Sequence, residues 1–447
     1  MVGTGLEMKE LVEQVREAGV VGSGGAGFPT HVKLEAQAEW YLANGAECEP
    51  LMHKDRELMV HFGREVVDGL EKAADCVQAQ KTAIGIKSKN RNAIDAIQAA
   101  IRRDSMHVHE FGDFYPAGDE YELVYGITGR LIPPQGIPLN IGVVVNNIET
   151  LVNISRAVAG KPVTDTFMTL TGLVKTPLTT WLPIGLSVRE ALQIAGGPMI
   201  DDFAVMESGL MMGKLVQNLD QPITKTTGGL IVLPAAHDLI KRISRPTAAQ
   251  HRIGHSACDQ CSYCTELCPR YLLGYEVKPH LVMRSLGFTQ MGKELWNQNA
   301  LLCCQCGLCT LYACPEGLYP REACVQGMND LRKADKGKWT GSRDIQVHPM
   351  KNSRRVPIKM LMNRLGVSQY ESHAEYQEMR IEPARVVMPL KQHVGQAAEP
   401  VVKVGESVRR DQLIAEIPDG KLGARVHASI DGKISAIQNE RITIERG

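Results

Sequence analysis

Long apolar runs are missing from this 447-residue sequence. No stretch approaches the roughly 18 consecutive apolar residues of a membrane helix. A spanning segment is therefore not expected, and any membrane association would come through a partner. An excess of either charge sign is missing too: Lys and Arg number 50, Asp and Glu number 50, and the formal net charge is zero. A nucleic-acid binder normally carries a basic excess, so nucleic acid is not an expected partner. The beginning of the chain, with Glu7, Lys9, Glu10, Glu13, Arg16 and Glu17, lacks the apolar core of a signal peptide. The expected location is cytoplasmic, with thiols reduced. Apolar residues make up 44% and charged residues 22%, an ordinary globular composition. The length suits several domains.

What the chain does have is cysteine, twelve in all. Nine fall between Cys258 and Cys314, Cys324 lies just beyond, and Cys48 and Cys76 are remote. In a reducing compartment such clustering points to metal rather than disulfides. The first run, Cys258-x2-Cys261-x2-Cys264-x3-Cys268-Pro269, matches the bacterial ferredoxin pattern, in which the fourth Cys ligates the other of two clusters. The second run, Cys303-x2-Cys306-x2-Cys309-x4-Cys314-Pro315, has one extra residue before its last Cys. By the crossover rule one [4Fe–4S] cluster takes Cys258, Cys261, Cys264 and Cys314. The other takes Cys303, Cys306, Cys309 and Cys268. Cys304 competes with Cys303 as a ligand, and spacing favours Cys303. Structural zinc sites also use CxxC pairs, but a triple run followed by Cys-Pro, occurring twice, favours iron–sulfur. Cys76 and Cys324 read as small buried hydrophobes.

Local patterns outline the rest. Leu6 to Ala18 reads as an amphipathic helix, Thr82 to Ile86 as a buried strand, and Asn92 to Arg102 as a helix with Ile94, Ile97 and Ile101 on one stripe. Ile141 to Val145 reads as another strand. This alternation predicts an α/β domain. Thr166 to Thr171 and Leu173-Val174 read as strands, and Ser187 with Glu190 forms a capping-box signal for a short helix that ends at Gly196-Gly197-Pro198. A small α+β module is expected there. Residues 245–335 are helical in pattern. Residues 336–380 are basic and polar, with periodicity only over Ile358 to Leu365, and read as a linker wrapped around other domains. The end of the chain returns to short strands, with Asp431-Gly432 as a hairpin signal.

The run Gly22-Ser23-Gly24-Gly25-Ala26-Gly27-Phe28-Pro29 follows a helix rather than a strand, so it is not a dinucleotide fingerprint in its usual context. Its backbone N–H groups could approach a phosphate, with Lys33 adding charge. Three further segments accompany it in order: Asn44-Gly45-Ala46-Glu47-Cys48-Glu49-Pro50 with Lys54-Asp55-Arg56, Tyr115-Pro116-Ala117-Gly118-Asp119-Glu120, and Val145-Asn146-Asn147-Ile148-Glu149-Thr150. Taken singly, such residues serve as well for turns and caps. Together they resemble the FMN-binding domain of the NADH-oxidising subunit of respiratory complex I and the related RnfC-type component of the Rnf electron-transport complex. That resemblance implies FMN contacts from Gly22, Gly24, Lys33, Asn44, Asn146, Asn147 and Thr150. Gly118, Asp119 and Glu120 would lie beside the isoalloxazine ring. Phe28, Glu49 and Glu120 would face NADH, with Glu120 as the catalytic carboxylate. Two positions depart from the family: Ala46 stands for an Asp that contacts the flavin, and Ala36 for a second aromatic at the adenine.

Thr169-Leu170-Thr171-Gly172-Leu173-Val174 with Pro183-Ile184-Gly185 resembles the soluble-ligand-binding β-grasp domain. Leu390 to Gly395, Lys403 to Val408 and Val426 to Gly432 resemble a barrel-sandwich hybrid of lipoyl type. A lipoyl lysine sits at a hairpin tip between an acid and a small apolar residue, and Gly432-Lys433-Ile434 does not match. The implied order is an FMN/NADH-binding α/β domain over 1–160, a β-grasp domain over 161–243, and a helical two-cluster ferredoxin domain over 244–335. A linker over 336–382 and a barrel-sandwich hybrid domain over 383–447 follow. This order, with Thr226 to Pro234 and Cys264-Thr265-Glu266-Leu267-Cys268-Pro269-Arg270, resembles the cobalamin reductases of propanediol-utilising bacterial microcompartments. Those resemblances imply an NADH-dependent oxidoreductase with FMN and two [4Fe–4S] clusters that reduces a corrinoid, with a microcompartment adenosyltransferase or shell proteins as partners. The alternatives are an electron-wiring subunit docked on a partner redox enzyme, for which Ala36 and Ala46 speak, and a redox partner of a glycyl-radical microcompartment.

Overall fold

The computed structural model describes residues 5–287 and 290–447. The chain opens with a four-stranded parallel sheet in the order Met106–Phe111, Lys81–Lys87, Trp40–Gly45, Val143–Asn147. Lys81–Lys87 is buried at every position after the first, as a parallel strand covered on both faces must be. Helices Gly5–Glu17, Lys54–Cys76, Arg91–Ala100 and Ile148–Val158 share one apolar core with one face of the sheet. Helix Glu120–Thr128 covers the other face through Leu123 and Val124, which meet Leu42, Ala83 and Val145. The expected Ile141 to Val145 strand starts at Val143, because Pro138–Ile141 is a 3-10 turn.

The next unit is a five-stranded sheet in the order Leu178–Pro183, Asp165–Gly172, Gly229–Pro234, Phe203–Glu207, Lys214–Leu215. Its central pair is parallel and its outer pairs are antiparallel. The short helix Val188–Ile194 starts at Ser187, whose Oγ accepts from Glu190 N at 3.2 Å while Glu190 Oε2 accepts from Ser187 N at 3.2 Å. Two orphan donors of the helix start are satisfied reciprocally, as a capping box does.

Short helices carry the cysteines, and the longer Pro320–Lys333 packs against Pro279–Ser285 behind them. The segment that follows straps the units together. Val356–Pro357 pairs with Phe114–Tyr115, and helix Ile358–Leu365 joins an apolar cluster with Leu51, Met211 and Cys306. Further on, Gln377 N donates to Thr179 O at 2.9 Å, and Tyr376 packs among Phe62 and Phe167.

The C-terminal unit is two facing sheets. One runs Arg385–Pro389, Arg441–Glu445, Gly432–Gln438, Ser407–Val408, and the other Glu399–Pro400, Leu413–Glu416, Val426–His427. This corrects the hairpin expected at Asp431-Gly432. The chain there passes from the second sheet to the first, and Asp431 Oδ1 accepts from Arg410 N at 2.7 Å. The hairpin lies at Asn439-Glu440, both at positive φ (51° and 54°), between Gly432–Gln438 and Arg441–Glu445. Gly432 serves close packing instead, since a Cβ there would lie 2.4 Å from Glu445 O. Lys433 is within a strand, paired with Ser407 and Glu445, and not at a tip.

Candidate functional site

The parallel sheet has a point where its connections diverge. Trp40–Gly45 leads over one face to Lys81–Lys87, whereas the chain reaches Val143–Asn147 from Met106–Phe111 by the opposite face. A crevice opens at the carboxyl ends of two such strands, which is where α/β sheets bind ligands. Asn44 stands at the end of one strand, and Asn146 and Asn147 at the end of the other.

The glycine loop folds over this crevice. Gly22 N donates to Phe28 O at 3.0 Å, and Ser23 N donates to Thr150 Oγ1 at 3.1 Å. At Gly24 a Cβ would lie 3.1 Å from Asn147 Cβ, a tight contact that glycine avoids as the loop approaches the strand end. Gly24, Gly25 and Ala26 are exposed at its tip, and Phe28 is half-buried. Lys33 enters beneath the loop, and its Nζ donates to Val145 O at 2.8 Å and to Asn146 Oδ1 at 3.3 Å. Among the described residues no carboxylate lies within ion-pair distance of Lys33. Burial pushes its pKa down, opposed by Glu120. Burial likewise pushes the Glu120 carboxyl up, opposed by Lys33. Asn44 Nδ2 donates to Gly118 O at 2.9 Å, which ties the Gly118–Glu120 segment to the crevice. Asp119 caps helix Glu120–Thr128 with Oδ1.

These residues make a cradle: glycine N–H groups at the loop tip, a Thr hydroxyl, three asparagines and a half-buried ammonium with no ion pair among the described residues. The donor set fits FMN, whose phosphate would supply the missing negative charge.

Glu49 stands elsewhere. Its carboxylate accepts from Met211 N at 2.8 Å and Met212 N at 2.9 Å, in the loop between Phe203–Glu207 and Lys214–Leu215. Burial still pushes its pKa up to about 6, against those N–H groups. The structure thus brings together Gly22, Gly24, Lys33, Asn44, Asn146, Asn147, Thr150, Gly118 and Glu120, and commits Glu49 to the β-grasp unit.

Beneath the crevice lies a buried charge group of Glu47, Lys54, Asp55 and Glu149, residues that belong to the resembling segments but were given no role from the sequence. Lys54 Nζ lies 2.5 Å from Glu149 Oε2, both side chains nearly inaccessible. Asn147 Nδ2 donates to Asp55 Oδ2 at 3.0 Å, and Asp55 N to Glu47 Oε2 at 3.3 Å. Burial raises the Asp55 pKa to about 6 and lifts Glu47 well above its usual range. Glu49 also lines a cavity of about 670 Å³, together with Glu47, Arg56, Lys89, Arg91 and Met362. Its Lys89 and Arg91 are already paired with Asp113 and Glu110.

The cysteines form two groups. Cys258, Cys261, Cys264 and Cys314 line one cavity with His280, Met283 and Leu318. Gln260 Nε2 donates to Cys258 Sγ at 3.1 Å and Leu318 N to Cys314 Sγ at 3.3 Å. Cys261 is exposed, so this group reaches the surface. Cys268 lies among Cys303 and Cys304, and Cys306 and Cys309 are both its neighbours. Burial pushes Cys264 up to about 12 and lifts Cys309 well above its usual value, and the neighbouring Cys304, then burial, does the same for Cys306. Four such sulfurs ionise together only around bound cations. Among the described residues no three His, Cys, Asp or Glu side chains close to single-ion distance. The all-thiol donor sets, with N–H groups aimed at sulfur, fit iron–sulfur clusters.

The second group abuts the flavin-type crevice. Tyr115 OH donates to Cys306 O at 2.6 Å, and Cys48, Tyr115, Cys304 and Cys306 share one apolar cluster. Cys303 Sγ accepts from Gln305 N at 3.3 Å and contacts Cys324, whereas Cys304 contacts Cys306 and Arg270. Neither Cys324 nor Arg270 was given a part in the site from the sequence. For Arg270 its place directly after Cys268-Pro269 was the available signal.

Residues 15–156 match the Nuo51 FMN-binding domain family, residues 257–319 a 4Fe-4S dicluster domain, and residues 365–447 the RnfC barrel sandwich hybrid domain. The chain is 43% identical over 443 residues to the cobalamin reductase PduS of Salmonella typhimurium, covering 99% of this chain and 98% of that protein. It is 41% identical over 442 residues to the cobalamin reductase PduS of Citrobacter freundii, covering 99% and 97%. Against the C component of the Na+-translocating ferredoxin:NAD+ oxidoreductase complex of Acetobacterium woodii it is 34% identical over 274 residues, covering 60% and 59%.

Proposed function

The chain belongs to the PduS cobalamin reductase family, and on that premise we propose that it passes electrons from NADH through FMN and two [4Fe–4S] clusters to the cobalt of a corrinoid. The observation that carries the reading is the adjacency of the two sites. A crevice holding the counter-ion-free Lys33 abuts a group of buried thiols, with Tyr115 and Cys48 between them. FMN supplies the exchange between a two-electron hydride and single electrons, and each cluster holds one electron at a time.

The chain's own residues do the binding and orienting. Gly24 presents its N–H to the phosphate, Gly22 holds the loop's shape through its own bond to Phe28 O, Lys33 neutralises the phosphate, and Thr150 fixes the loop through Ser23. Asn44, Asn146 and Asn147 serve the ribityl chain. Gly118, Asp119 and Glu120 border the ring, and Phe28 and Glu120 face the nicotinamide. Glu49 acts by holding the β-grasp loop against the crevice, which shields the ring region from water. Cys258, Cys261, Cys264 and Cys314 hold one cluster, and Cys303, Cys306, Cys309 and Cys268 the other. The partners are NADH and a corrinoid or partner redox enzyme, with a microcompartment adenosyltransferase or shell proteins as further partners. No helix among the described residues is long and apolar enough to cross a membrane.

Anaerobically purified protein, loaded with FMN and both clusters, is expected to oxidise NADH and convert cob(III)alamin to cob(II)alamin. Loaded protein that oxidises NADH with an artificial acceptor and leaves the corrinoid untouched would overturn the acceptor. Stoichiometric zinc without sulfide would overturn the clusters.

A further inference from the structure

One buried cation stands between the flavin-type crevice and the second cysteine group. Arg270 follows Cys268-Pro269 and lies on the short helix Pro269–Leu272. Its side chain is 9% exposed. The guanidinium leaves its own cysteine-rich unit, and Nη2 donates to Asp119 Oδ2 at 3.0 Å. Asp119 spends its other oxygen on the N–H groups of Tyr121 and Glu122. Tyr121 lies under the guanidinium, 3.4 Å from carbon to ring centroid. On its other side the guanidinium lies within electrostatic reach of the Cys303 and Cys304 thiols, and its helix starts directly after Cys268. Its Nε is buried without a hydrogen-bond partner.

A buried cation is costly unless it is paired. One carboxylate and one aromatic face offset part of that cost here. The rest of the positive charge faces Cys303 and Cys304, which neighbour Cys268 and Cys306. The first cysteine group meets an arginine differently: Arg364 donates to Cys314 O at 3.2 Å, a backbone rather than a sulfur contact.

Resting on the reading that a [4Fe–4S] cluster occupies the second group, we propose that Arg270 is a positioning residue that raises the reduction potential of that cluster selectively and ties it to the flavin edge through Asp119. One electron, supplied by NADH through the bound flavin, adds one negative charge to the four-thiolate site and moves no proton. A fixed cation beside the four-thiolate site stabilises that charge, because buried charges are only weakly screened from one another. Cluster potentials follow local charge and hydrogen bonds to sulfur. Asp119 works in the opposite sense: its negative charge holds Arg270 in place and moderates its field.

The test is a redox titration of the full chain, with FMN and both clusters loaded, followed by EPR with dithionite as reductant. In Arg270→Gln, one cluster signal is expected to titrate with a reduction constant at least tenfold lower, about 59 mV for one electron, while the other stays in place. Arg270→Lys should recover part of the shift. Asp119→Asn, which removes an anion and keeps the cation, should move the same signal to higher potential. A purely structural role would move both signals, or move both variants the same way, and either result overturns the proposal. So does an unmoved pair of signals in Arg270→Gln. If Arg270→Gln loses iron, opposite shifts in Arg270→Lys and Asp119→Asn support the proposal and their absence overturns it. The titration contains neither NADH nor corrinoid, so failure of corrinoid reduction leaves it standing.

Discussion

Removing the Lys54 ammonium should destabilise the junction between the first two units more than any surface charge change. Lys54 and Glu149 are an ion contact of 2.5 Å, with side chains 6% and 1% exposed. Glu149 Oε1 also accepts from Phe167 N at 3.1 Å, so the pair pins helix Ile148–Val158 to strand Asp165–Gly172. Burial alone would depress the Lys54 pKa, but Glu149 and Asp55 outweigh it and hold it above the usual value. In Lys54→Met the Glu149 charge stays buried without its cation. Breaking a buried pair on one side costs about 3–5 kcal/mol. Replacing both partners, as in Lys54→Met with Glu149→Gln, should recover much of this, since Gln keeps the acceptor for Phe167 N. Urea unfolding followed by near-UV circular dichroism reads the first cost, and hydrogen exchange over residues 165–172 localises it. A Lys54→Met loss below about 1 kcal/mol, or a double variant no better than the single, would refute the reasoning.

Two further outcomes follow from the same kind of argument. Cys303→Ser should lose about half of the iron and sulfide, whereas Cys304→Ser should keep both, because spacing assigns ligation to Cys303; iron and sulfide analysis of anaerobic protein decides, and the reverse pattern transfers the role to Cys304. Burial raises the Asp55 pKa in the folded state from 3.8 to about 6, so its contribution is fully present below pH 3.8 and is lost as pH rises through about 6. Asp55→Asn should remove that loss and flatten the decline in unfolding midpoint between about pH 4 and pH 6; an unchanged slope would show that Asp55 is ionised throughout.

Much of the local structure was legible because its causes are local. The capping box at Ser187 and Glu190 needs residues three apart, and the structure forms it. The helix expected from Leu6 to Ala18 appears as Gly5–Glu17, and the strand from Thr82 to Ile86 as Lys81–Lys87. The Asp431-Gly432 signal failed for a complementary reason. A turn dipeptide fixes backbone direction, but which sheet receives the next strand depends on Glu445, thirteen or more residues away, against which Gly432 packs. Glu49 shows the same limit at the site. The resemblance implies that it faces NADH, and the N–H groups its carboxylate accepts from belong to residues 211 and 212, far outside its motif.

The sequence by itself determined the chemistry on offer: a glycine loop able to approach an anion, asparagines near strand ends, and thiols at cluster spacing. These depend on residue type and on separations of a few residues, which survive without a fold. Only the tertiary structure decided who stands next to whom. Parallel strand order put Asn44 beside Asn147, chain return put Cys314 with Cys258, and packing of two units put Arg270 between Asp119 and Cys304. Such contacts join residues far apart in the chain, so they are set by burial and ion pairing across interfaces, on which local spacing carries no information.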